Sequence, residues 1–168
     1  MRPKRRKAWV RGVRLGVDVG TVRVGVAICD PDGILATPLV TLSRDLDTSG
    51  SRTPLDIAEL VRLVDVHESV GVVVGLPVTL AGTEGLAAVQ VRAYADALAR
   101  AIAPVPVALA DERMSTAAAT RRLSERGVRG GRRRAVVDQA AAVEILQGWL
   151  DAARKPAADN GSTNPEAD

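Results

Sequence analysis

At 168 residues, with 46% hydrophobic content and a mean hydropathy of +0.06, the chain can bury one sizeable core and is short for two, so a single domain is expected. Aromatic residues make up only 2% and Phe is absent, which excludes aromatic base-stacking platforms and leaves phosphate as the contact for any nucleic acid. The formal charge of +3 hides two clusters, +7 over residues 1–14 and +7 over residues 113–134, on an otherwise acidic body, a distribution that suits a polyanion partner.

The single cysteine, Cys29, cannot form an intramolecular disulfide and fits a reducing compartment, with pairing between two chains left open. No stretch reaches the roughly 18 apolar residues of a membrane span, and the basic start leads into no secretory apolar core. A soluble, cytoplasmic protein is expected.

Residues 1–12 read as a flexible basic arm. The next stretch, RLGVDVGTVRVGVAIC at 14–29, reads as two buried strands joined by a tight Gly20-Thr21 turn, because β-branched residues dominate it and glycine punctuates it. Asp18 lies in the middle. A desolvated carboxylate there costs several kcal/mol unless it is neutralised or faces a cation, so about several kcal/mol of compensation must come from its surroundings. Gly16 and Gly20 share its strand face, and Gly25 and Ala27 alternate with valines on the next strand, leaving space that suits a ligand or metal. The plainer alternative is a structural Asp bonding turn amides.

Asp30-Pro31-Asp32-Gly33 is a turn, Ile34–Leu42 a third strand, and residues 43–53 a polar loop. Thr53 is placed to cap a helix with Pro54 in its first position and Asp56 in its first turn, running to about His67, the only histidine and a solvated helix-end residue. Val70–Leu76 is a strand buried on both faces; a loop with Gly82 precedes a helix through Arg100; Pro104–Ala110 is another buried strand running into Asp111 and Glu112. The alternation is that of an α/β sheet with parallel later strands, where ligands gather beyond strand C-termini.

Ser115 and Thr116 can cap a further helix ending near Gly127, and Arg129–Arg134 reads as a flexible basic loop whose Arg132, Arg133 and Arg134 forks match phosphate oxygens. In the last helix, 135–153, Ala141, Ala142, Ile145 and Trp149 share a stripe with Asp138, while Glu144 and Gln147 fall on the opposite, wet face. The tail from Lys155 has a disordered composition.

Asp18, Glu112 and Asp138 are thus carboxylates in odd places. Were they to converge, full ionisation would need divalent cations, and oxygen-only ligands suit Mg²⁺ or Mn²⁺. Two such ions can drive phosphodiester cleavage without any histidine.

GVDVGTVRVGVA at 16–27, VVVGLP at 72–77, the Gly82 loop, ADERMST at 110–116 and DQAAAVEIL at 138–146 together resemble the YqgF/RuvX nuclease family, in that order and across nearly the whole chain. The resemblance implies a ribonuclease H-like fold over residues 13–153: a mixed five-stranded sheet, its first three strands antiparallel and the later ones parallel, flanked by helices. It implies kinship with the RuvC resolvase, processing of the 5′ end of pre-16S ribosomal RNA, and a site of Asp18, Glu112 and Asp138 with Mg²⁺ or Mn²⁺. Thr21, Arg23, Arg113 and Arg132–Arg134 stand where nucleic acid would be held. RuvC-type resolvases close the fourth strand with an acid; here Gly75-Leu76-Pro77 stands there, so the acid must come from Asp111-Glu112.

Three other readings stay open. Asp18-Val19-Gly20-Thr21 is also how the first phosphate loop of actin-like ATPases reads, although no second such loop follows. A Holliday junction resolvase would act on branched DNA as a homodimer, whereas an RNA nuclease can act as a monomer. A non-catalytic RNA-binding assembly factor would keep the fold without turnover.

Overall fold

The computed structural model describes residues 8–47, 49–79, 82–114 and 131–154. Five strands form one sheet: β1 (Arg14–Val19), β2 (Arg23–Cys29), β3 (Ala36–Ser43), β4 (Gly71–Leu76) and β5 (Val107–Asp111), in the order β3-β2-β1-β4-β5. Helices α1 (Leu55–Val66) and α2 (Leu86–Ile102) separate the later strands, a 3₁₀ turn covers Glu112–Met114, and α3 (Gly131–Arg154) ends the described chain. β1, β2 and β3 pair antiparallel, whereas β1–β4 and β4–β5 are parallel, as the alternation of elements requires.

β1 is the central strand and is buried along its whole length. Its alternation decides what each face packs against. Leu15, Val17 and Val19 join Ile57, Leu60, Tyr94 and Leu98 in a core under α1 and α2. The opposite face, with Ala27 and Val73, packs on Ala141, Ala142, Ile145, Leu146 and Leu150 of α3. Each such buried aliphatic side chain contributes about 1.5–3 kcal/mol, so α3 is held as firmly as the other two helices.

The glycines of the first hairpin make room for a helix and not for a ligand. A Cβ on Gly16 would lie 2.6 Å from Leu146 Cβ, and one on Gly25 would lie 2.0 Å from the Asp138 carbonyl oxygen. α3 therefore rests directly on the β1–β2 backbone.

Several boundaries differ from the sequence reading. The third strand begins at Ala36, because Asp30 Oδ1 accepts the N–H groups of Ile34 and Leu35 and keeps them in the turn. Thr53 does not cap α1: Pro54 holds the capping position, and the Leu55 N–H is taken by Asp45 Oδ2 at 2.8 Å from the preceding loop. The fifth strand starts at Val107 because Val105 N–H closes a turn on Ile102. α3 begins four positions earlier than expected, so Arg132–Arg134 belong to its first turn instead of a loop. Gln147 is half-buried instead of fully wet, since it accepts from Ala36 N–H at 2.9 Å and donates to the Ile34 carbonyl at 3.0 Å.

Residues 8–12 of the N-terminal arm fold back on the Asp30–Gly33 turn: Trp9 lies against Gly33 and under the Arg14 guanidinium, and Arg11 pairs with Asp32 at 2.8 Å. Residues 1–7, the Ser115/Thr116 cap with its helix, Arg129 and the tail from Lys155 lie outside the described residues. Cys29 is a free, buried thiol whose sulfur accepts the Arg14 N–H at 3.3 Å, which withdraws it from a partner chain.

Candidate active site and nucleic-acid cleft

Asp18 sits at the C-terminal end of the central strand, with glycine on both sides. Gly25 of β2 is its register partner, and the β1–β4 register, which pairs Val17 with Val74, brings Gly75 beside it one step further on. Register partners project to the same side of a sheet, so the Asp18 side chain faces α3 together with the positions of Gly25 and Gly75. Asp18 is only 2% exposed.

The other two carboxylates come to those glycines. Asp138 Cβ lies 3.1 Å from where a Gly25 Cβ would be, and Glu112 Oε1 lies 3.1 Å from where a Gly75 Cβ would be. A side chain at either glycine would also collide with α3, since the Asp138 carbonyl oxygen lies 2.0 Å from the Gly25 position and Ile145 Cδ1 lies 2.4 Å from the Gly75 position. Asp18, Glu112 and Asp138 therefore share one face and one end of the sheet, brought there by β1, by the turn that follows β5, and by the first half of α3.

Their electrostatic settings differ. Glu112 is 4% exposed, and burial, aided by the charge of neighbouring Asp111, pushes its carboxyl up to about 7. Such a group is ionised at neutral pH only in part, and a nearby cation would complete its ionisation. Asp138 is more open and is paired with Arg23, whose Nε donates to Oδ2 at 2.9 Å. Asp111 is drawn away to Arg113 by an ion pair at 2.6 Å, and that hydrogen-bonded guanidinium holds its carboxyl below the usual carboxylate range.

As the side chains stand, no three of His, Cys, Asp and Glu among the described residues form a ready ligand cluster. The donor chemistry fits a hard divalent cation all the same: the three groups are all oxygen donors and two of them are buried. Asp138 would have to exchange Arg23 for the ion.

An open cleft of about 500 Å³ runs over this end of the sheet. The β1–β2 turn from Asp18 to Arg23 forms its floor, Arg134, Val137 and Asp138 of α3 one wall, and Ala87, Gln90 and Val91 of α2 the other. Thr21 is exposed on the floor, and Arg23 and Arg134 line the rim. Arg113 does not line it, being held by Asp111 and directed toward Gly82. The side chains of Arg132 and Arg133 lie outside the described residues. Sequence reasoning missed two cleft residues, Arg44 and Gln90, because one sits in a polar loop and the other on a helix face with no other signal.

Residues 12–152 match the family model RuvX, described as Holliday junction resolvase. A Rhodococcus erythropolis protein named "Putative pre-16S rRNA nuclease" is 50% identical over 157 residues, covering 94% of this chain and 87% of its own. A protein of the same name from Frankia casuarinae is 56% identical over 146 residues, 87% of this chain and 70% of its own. Among solved structures, Thermus thermophilus RuvC in complex with a Holliday junction substrate aligns over 84% of this chain and 95% of that one, at TM-score 0.50 and 16% identity, a likeness of fold. The sheet order, the helices on both faces and these matches agree: the fold is ribonuclease H-like, and the chain belongs to the RuvX (YqgF) family.

Proposed function

We propose that this chain, over a single unit spanning residues 13–153, is a divalent-metal-dependent nuclease that hydrolyses phosphodiester bonds during maturation of the 5′ end of pre-16S ribosomal RNA. The observation that supports the reading is that Asp138 reaches Gly25 and Glu112 reaches Gly75, the two glycines that flank Asp18, while Asp18 and Asp138 line a cleft together with Arg23, Arg44 and Arg134. Its relatives' names supply the substrate.

The chain's own residues divide the work. Asp18 and Glu112, both buried, would be the fixed ligands, and Asp138, paired with Arg23, the adjustable one. Arg23, which pairs with Asp138, would be available to fork onto a phosphate oxygen wherever Asp138 serves as a ligand. Thr21 and Arg134 hold the backbone on either side, Arg113 serves the Gly82 side, and Arg132 and Arg133 are further nucleic-acid contacts. Mg²⁺ or Mn²⁺, as two ions when bound, supplies the Lewis acidity that activates water and stabilises the leaving oxygen.

The test is purified protein with Mg²⁺ or Mn²⁺ on pre-16S RNA, beside Asp18→Asn. Cleavage is expected to fall at least about 100-fold in the variant, the scale of removing one main electrostatic stabiliser; cleavage that persists undiminished refutes the site. A four-way DNA junction belongs in the same assay, because the matching family description names that activity. Symmetric junction cutting by a dimer would favour the resolvase reading, and binding without turnover of either substrate the assembly-factor reading.

A further inference from the structure

The cleft extends past the carboxylates, across the end of the sheet, to a group that the proposed chemistry does not use. Arg44 follows β3, and its N–H donates to the Val22 carbonyl at 2.8 Å, fixing its backbone to the β1–β2 turn. Its side chain is clamped from three elements. Nη1 donates to the Gly20 carbonyl at 2.8 Å, the guanidinium lies 5.2 Å from the Tyr94 ring centre on α2, and Nε stands 3.8 Å from Asp56 Oδ2 on α1.

The last distance is the informative one. Asp56 is 3% exposed and takes a hydrogen bond from the Tyr94 hydroxyl at 2.9 Å. A guanidinium placed there only to neutralise a buried carboxylate would close on it as a bidentate pair at about 2.7–2.9 Å. It does not close: Arg44 Nε and Asp56 Oδ1 are both buried without a hydrogen-bond partner among the described residues. Arg23, by contrast, is closed on Asp138. Arg44 is thus a rigidly held cation, only partly neutralised, whose outer edge lines the same cleft as Asp18.

We infer that Arg44 is a second phosphate-binding point, seated by Asp56 and Tyr94, that grips a single RNA strand on the α2 side after it has crossed the carboxylates on the α3 side. The inference rests on the nuclease reading for the direction of the strand, but the grip itself needs no turnover. Rigid placement sets which phosphate, counted from the cut, is held.

Binding is measured in EDTA by fluorescence anisotropy with a labelled single-stranded RNA. Arg44→Gln should weaken binding about tenfold and reduce the slope of log Kd against log salt by about 0.7, the value for one lost single-strand phosphate contact. Arg44→Lys, which keeps the charge, should restore the slope, and Asp56→Asn should keep the slope while blurring the position of cleavage in Mg²⁺. A parallel scan uses an RNA carrying one neutral methylphosphonate linkage at each position in turn, with the native protein and with Arg44→Gln or, where that variant does not fold, Arg44→Met. Among the sensitive phosphates it should find one, separate from the scissile one, whose sensitivity is lost in the variant. An unchanged slope in Arg44→Gln, or no phosphate beyond the scissile one whose sensitivity is lost in the variant, overturns the inference. Cleavage with a silent Arg44 sinks this inference alone; a sensitive Arg44 without cleavage sinks the nuclease reading alone.

Discussion

Gly25→Ala is the sharpest test of how the site is held together. The new Cβ would lie 2.0 Å from the Asp138 carbonyl oxygen and 2.4 Å from its carbon, both backbone atoms of α3. Ordinary contact needs about 3.5 Å, so the helix start must withdraw by about 1 Å or more. Overpacking of this kind costs about 1–3 kcal/mol, and the upper end applies because no side chain can swing aside. At about 2–4 °C per kcal/mol for a chain of this size, the melting temperature should fall by about 6–12 °C. Activity should fall further than stability does, since displacing a catalytic group by 1 Å costs about 100-fold. Gly71→Ala is the control: its Cβ meets nothing nearer than 3.8 Å, so it should be neutral or slightly stabilising. Thermal melts followed by circular dichroism, with cleavage assayed well below the melting range, read both effects. Should Gly25→Ala melt and cleave like wild type, direct seating of α3 on β2 is not what positions Asp138.

Tyr94→Phe removes the hydrogen bond to buried Asp56 and should cost about 1.5–3 kcal/mol in urea unfolding; no loss would mean that Asp56 is satisfied some other way. Arg23→Gln should cost under about 1 kcal/mol, because the pair with Asp138 is about a quarter to a third exposed and screened; a loss above 2 kcal/mol would contradict that screening. Asp45 has its carboxyl held well below the usual range by Arg52 first, then by the Leu55 and Asp47 amides. A depressed folded pKa means the stabilisation is present above the unfolded value near 4 and is lost as pH falls through the folded one. The melting difference between wild type and Asp45→Asn should therefore be present at neutral pH and shrink below about pH 4; a difference that does not change with pH would refute the assignment.

Much of this was legible in the sequence where a single local rule governed. Alternating valines and glycines marked β1 and β2, and Asp18 stood out because a charge broke an apolar run. The stripe through Ala141, Ala142 and Ile145 correctly put Asp138 on the packing face of α3. Reading failed where long-range contacts decided. Gln147 lies opposite Asp138 on a helical wheel, yet α3 crosses β1, β2 and β3 and so buries a wider arc than one stripe. Asp56 looked like an ordinary first-turn acid, and only the tertiary approach of Tyr94 and Arg44 reveals it as a buried anchor. Arg132–Arg134 followed two glycines and read as a loop, because nothing local announces a helix that starts on Gly131 with basic residues in its first turn.

The charges of the cleft offset one another. Its described lining holds two aspartates, Asp18 and Asp138, against three arginines, Arg23, Arg44 and Arg134. With Asp56, which faces Arg44, the charges balance, so the arginines offset the acids by themselves, and any phosphate contact they make would weaken with salt. Glu112 adds a third acid, whose carboxyl is pushed up to about 7 by burial and by the charge of Asp111. Arginine placed around the carboxylates thus lowers the cost of gathering acids at one end of the sheet, which the acids could not do alone.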